Sequence, residues 1–131
     1  MKDLLYMEYV IFGNNFDPDE FTALVNIMPT ESIRKGDIVG KKIKRVAETN
    51  SWTLRIDTDV GNVKELFDNF FLKIKGKEEM FQKYGNEHEA AINVVIDFPK
   101  AIGPAFNISN KMLKEFSKMG ISIDIDLYSI K

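Results

Sequence analysis

The sequence predicts one α+β domain spanning residues 1–131, with a single mixed, mainly antiparallel sheet of about five strands and helices packed against one of its faces. Three observations carry this. Several segments repeat apolar residues at helical spacing and are polar on the other side, as a helix lying on a core must be. Others alternate apolar and polar residues with period two, as a strand does when one of its faces is wet. The two kinds interleave along 131 residues with no linker, internal repeat or low-complexity tract, and one core serves a chain of that length.

The first strand runs from Leu5 to Phe12. Bulky residues occupy both of its faces, which predicts a central position. Asp17 then caps a helix that has Pro18 in its first turn and Glu20 placed to reach back to the cap. Phe21, Leu24, Val25 and Met28 form its inward stripe, and Pro29 ends it. Between Thr30 and Thr49 charged residues outnumber apolar ones, so a loop followed by an edge strand is expected there. Asn50-Ser51 reads as a turn, and Trp52, Leu54 and Ile56 alternate with Thr53, Arg55 and Asp57 along the second strand of a hairpin.

Asn62 followed by Glu65 is a further cap signature, after which Val63, Leu66, Phe67, Phe70, Phe71 and Ile74 keep the helical period. Lys77 to Tyr84 predicts a short satellite helix stopped by Gly85. Ala90 to Phe98 is a strand ended by Pro99. Ser109 caps a last helix carrying Met112, Leu113, Phe116 and Met119, with Gly120 at the left-handed C-terminal position. Ile121, Ile123, Ile125 and Leu127 alternate with Ser122, Asp124, Asp126 and Tyr128 in a closing strand with one buried and one wet face. The leading elements match a ferredoxin-like split β-α-β-β-α-β core, to which the last helix and strand are a C-terminal α-β addition.

Composition bounds the function. With no cysteine, thiolate nucleophiles, thiolate zinc sites and iron–sulfur clusters are excluded, and the chain suits a reducing compartment. The opening Met1 to Glu8 interrupts its apolar residues with charge too early for a signal peptide, so a cytoplasmic location is expected. No apolar run nears the roughly 20 residues that span a bilayer. A net charge of −2 offers nucleic acid no bulk attraction. Neither nucleic acid nor membrane is therefore an expected partner.

Individual motifs point to no catalytic set. The stretch Gly36 to Lys42 has a short glycine spacing and no Ser or Thr where a phosphate loop needs one. Asp57 to Gly61 departs from a calcium loop in its glycine position and in Asp68. Asp124 and Asp126 share a strand face that Asp97 and Glu8 are placed to join, an arrangement open to metal or acid–base chemistry, a plain solvated face being favoured. His88 has no second histidine to complete a metal set. Trp52 suits either a hot spot or a core anchor, the core being favoured. Arg34, Lys35, Lys41, Lys42, Lys44 and Arg45 form a basic cluster that reads first as a solvated loop and edge strand, with a patch for an acidic partner as the alternative.

The segments Asp17-Pro-Asp-Glu20, Leu24, Pro29-Thr30, Lys35-Gly36-Asp37, Ser51-Trp52 and Asp124-Ile-Asp-Leu-Tyr128, in that order and spacing, resemble the bacterial family catalogued as domain of unknown function 4279. The resemblance covers nearly the whole chain, departs in the polar region Lys75 to Glu89, and implies a small stand-alone domain with no catalytic residue to transfer. The expected function is accordingly a non-enzymatic protein-binding module, including an immunity-type role in which it masks a toxin or effector. Lys35, Asp37, Arg55, Asp97, Asp124 and Asp126 are its candidate contacts, no cofactor or metal is expected, and a homodimer through the sheet is a further reading. The alternative is a small-molecule binder or enzyme with a pocket beside Lys35-Gly36-Asp37 and Trp52.

Overall fold

A computed structural model describes residues 4–58, 62–98 and 107–129. In chain order the elements are β1 (Leu4–Gly13), α1 (Pro18–Val25), β2 (Glu31–Ile33), β3 (Ile38–Val39), β4 (Arg45–Val46), β5 (Asn50–Asp57), α2 (Val63–Ile74), α3 (Glu78–Glu87), β6 (Glu89–Phe98), α4 (Asn110–Lys118) and β7 (Ile121–Ser129). The main sheet has the order β2-β5-β1-β6-β7, and β3 with β4 makes a separate hairpin. Every neighbouring pair in the main sheet is antiparallel except β6 and β7, which are parallel. The α+β class, the mixed and mainly antiparallel sheet and the central place of β1 are as the sequence predicts.

Rings hold the layers together. Tyr9 of β1 stacks on Phe70 of α2 at 5.4 Å and meets Phe81 of α3 edge-on at 5.3 Å. Phe21 of α1 stands edge-on to Trp52 of β5 at 5.0 Å, and Phe116 of α4 packs against Phe67 and Phe71 of α2. All four helices thus share one face of the sheet with Met7, Tyr9, Ile11, Trp52, Leu54, Ile56, Ile92, Val94 and Ile96. Offset and edge-on rings each add roughly 1 kcal/mol beyond the area they bury. The phenolic oxygen of Tyr9 is buried with no hydrogen-bond partner among the described residues, and burial pushes its pKa up.

Local signals set the helix ends. Asp17 accepts from the backbone N–H groups of Asp19 and Glu20 at 3.0 and 3.2 Å, Asn62 from Glu65 at 2.8 Å, and Ser109 from Met112 at 3.2 Å. The Glu20 N–H, aided by the Arg34 guanidinium, holds the Asp17 carboxyl below the usual carboxylate range. Glu20 itself does not close the expected reciprocal cap. Its Oε1 accepts the hydroxyl of Tyr84 at 2.7 Å, tying α1 to α3.

Several expectations are corrected. Met28 is exposed because Asn26 adopts a left-handed conformation (φ 55°) and ends α1 before the stripe is complete, and Leu24, within α1, is exposed as well. Asn50 starts β5 and is not a turn: its side chain accepts from Lys35 N–H at 2.6 Å and donates to the Phe16 carbonyl at 2.9 Å. The edge strand precedes the lysine-rich stretch, which folds into the β3–β4 hairpin. Gly85 lies inside α3, whose Phe81 is central to the core and no satellite. Leu113 of α4 and Ile125 and Leu127 of β7 are exposed, while Ile121 and Ile123 pack against the core. Part of the Asp57 to Gly61 motif lies outside the described residues.

The Tyr84 to Glu20 bond makes a pH prediction. Its hydrogen bond to the Glu20 carboxylate, then burial, pushes the phenol up to about 12, whereas an unfolded tyrosine titrates near 10. A raised folded pKa means the stabilisation is whole below about pH 10 and fades as pH climbs towards 12. The urea-midpoint difference between the native chain and Tyr84→Phe should therefore narrow across that window. A gap that stays constant would show that the phenol is not held in this way.

Candidate functional site

The sheet face turned away from the helices carries the polar strand positions. Register aligns Arg55 of β5 with Glu8 of β1, Glu8 with Asn93 of β6, and Asn93 with Asp124 of β7. This row of four spans three strand spacings, roughly 14 Å. The next row runs Asp57, Tyr6, Val95 and Asp126. The Arg55 guanidinium lies 3.7 Å from the centre of the Tyr6 ring and 3.2 Å from Asp57 Oδ1, so it is fixed from below and from the side. Asp124 and Asp126 are exposed, and Asn93 Oδ1 is buried without a donor among the described residues. Asp97 occupies the register position between Leu4 and Tyr128.

The structure brings Arg55, Asp124 and Asp126 onto this face and leaves Lys35 and Asp37 elsewhere. Those two lie in the loop leading to β3, beside the start of β5. Arg55 is five residues further along β5, about 17 Å away by strand rise. The loop is closed by Asp37 Oδ2 accepting from Arg34 N–H at 2.8 Å and by Gly36 and Ala47 N–H groups bonded to the Ala47 and Asp37 carbonyls. Arg34 in turn bridges Asp17 and Asp19 at 2.9 and 2.7 Å. Trp52 is no pocket wall: it is fully buried, with its indole N–H donated to Thr22 Oγ1 at 2.9 Å. The expected pocket beside it loses that side.

Two features were missed in the sequence. A shallow cleft of about 560 Å³ opens at the end of β1, lined by Phe12, Gly13, Asn14, Thr49, His88 and Glu89. His88 is half-buried there, edge-on to Phe16 at 5.3 Å, and its place beside Gly13, where an added Cβ would stand 3.2 Å from its Nδ1, comes from strand pairing that a linear reading does not contain. The other is the β3–β4 hairpin, where Ile38, Ile43 and Val46 are exposed among the lysines. Among the described residues no group of three or more His, Cys, Asp or Glu side chains is arranged to hold a metal, and no helix is long and apolar enough to cross a membrane.

Comparison with known proteins adds the family. No curated protein and no solved structure gives a significant match. A family model described as Domain of unknown function (DUF4279) matches residues 3–130, which include the capped α1, the whole open face and β7. The chain belongs to the DUF4279 family.

Proposed function

We propose that this domain is a non-enzymatic protein-binding module that docks a partner on the open sheet face, in an immunity-type role that masks a toxin or effector. The observation that carries it is the row Arg55, Glu8, Asn93 and Asp124 on four consecutive strands. Charges fixed on paired strands lose little freedom when a partner arrives, and they reject partners of the wrong sign. Glu8, Asp57, Asp124 and Asp126 outnumber Arg55 on this face, so the complementary surface is basic. Lys35 and Asp37 would belong to a separate contact at the far end of β5. The ferredoxin-like reading of the core is supported by the order β6-β1-β5-β2 with antiparallel neighbours, in which β5 separates β1 from β2.

Glu8→Lys tests the reading at the centre of the row. Affinity-tagged native chain should retain from host extract a protein that the Glu8→Lys chain retains at least about tenfold less, with circular dichroism unchanged. Co-expression of the native chain should relieve growth inhibition by that protein. Equal retention by both chains, or unrelieved inhibition, would sink the proposal.

A further inference from the structure

The two most exposed apolar patches of the sheet layer carry opposite charge. One is the β3–β4 hairpin, whose tip places Ile43, 85% exposed, among Lys41, Lys42, Lys44 and Arg45, with Ile38 and Val46 exposed at its base. None of these four cations has an ion-pair partner among the described residues. The other is β7, an edge strand that among the described residues is paired on one side only. Leu127, 61% exposed, and Ile125 lie on its core side, and Asp124 and Asp126, likewise without ion-pair partners among the described residues, lie on its open side. An unpaired edge of nine residues is a template for association unless charge blunts it.

Like surfaces cannot satisfy each other here. Two β7 edges pairing antiparallel about a two-fold axis would set carboxylates against carboxylates, and two hairpins would set lysines against lysines, both unfavourable. Unlike surfaces fit in charge and in apolar content. We infer that the chain associates with a second copy of itself head to tail, the basic hairpin of one molecule docking on the acidic β7 edge of the next. Such a heterologous contact leaves a free hairpin and a free edge at either end, so it grows into a ring or a short filament. The contact goes beyond the docking reading above and does not use Arg55 or Glu8.

Reversal of each surface tests it. The native chain should self-associate with rising concentration in sedimentation velocity at low salt and dissociate at high salt. Lys42→Glu with Lys44→Glu, or Asp124→Lys with Asp126→Lys, should each weaken association by roughly a hundredfold or more. All four positions are exposed, so the fold should persist by circular dichroism. Mixing the two altered chains should restore association, because the unaltered basic hairpin of one then meets the unaltered acidic edge of the other. A native chain that stays monomeric at low salt, reversed chains that still associate, or a mixture that stays monomeric would each overturn the inference. Glu8→Lys should leave self-association intact, which separates this outcome from failure of the docking reading.

Discussion

Replacing Gly85 with alanine is expected to destabilise the domain by about 3 kcal/mol, against the roughly 1 kcal/mol that helix propensity alone would add in its favour. A Cβ at Gly85 would overlap the carbonyl oxygen of Met119. The obstacle is backbone, which cannot rotate away as a side chain would. The same junction is crowded from the other side, where a Cβ at Gly120 would stand 2.7 Å from the Gly85 carbonyl oxygen. Asn86 bonds the Lys118 carbonyl at 2.7 Å across it. Relief would require the end of α4 to lift from α3, breaking that bond and pulling at Phe116 and Met119, both buried. Urea unfolding reads the effect as a lower midpoint at unchanged slope. Gly76→Ala is the control: its φ of 87° costs a side chain about 1 kcal/mol, with no atom in the way. Equal midpoints for the two variants would show that α3 and α4 do not meet so closely.

The contrast between Gly85 and Gly120 shows where sequence reading stops. Gly120 follows an apolar stripe and has a left-handed φ of 66°, a local requirement that was legible, unlike its close approach to the Gly85 carbonyl. Gly85 also follows an apolar stripe, yet it is helical, and what demands glycine is a backbone 34 residues away in sequence. The caps at Asp17, Asn62 and Ser109 are local and were likewise legible. Ile125 and Leu127 have the correct face from period two, but periodicity does not say whether anything covers an edge strand. The candidate site divides the same way. Alternation put Arg55, Asp124 and Asp126 on a polar face, whereas the row through Glu8 and Asn93 exists only once register pairs four strands.

Truncating Trp52 to alanine should cost about 3 to 5 kcal/mol, a large part of the 5 to 15 kcal/mol that typically holds a domain together. Trp52 is fully buried and its ring meets those of Tyr9, Phe21 and Phe81, which come from β1, α1 and α3. Its removal leaves a cavity at the point where these elements converge, and none of them can close it without moving the others. Trp52→Phe should retain most of the packing and lose the bond to Thr22, while Thr22→Val should strand the buried indole N–H at roughly 1 to 3 kcal/mol. Fluorescence gives an independent reading, since the chain has a single tryptophan. Native emission should be blue-shifted and indifferent to iodide, shifting to the red only along the unfolding transition. Strong iodide quenching of the folded chain would place the indole at the surface and return it to the candidate ligand contacts. With Trp52 in the core, partner binding lost by Trp52→Ala should follow the unfolded fraction as urea is titrated, whereas binding lost by Glu8→Lys should be complete in a fully folded chain.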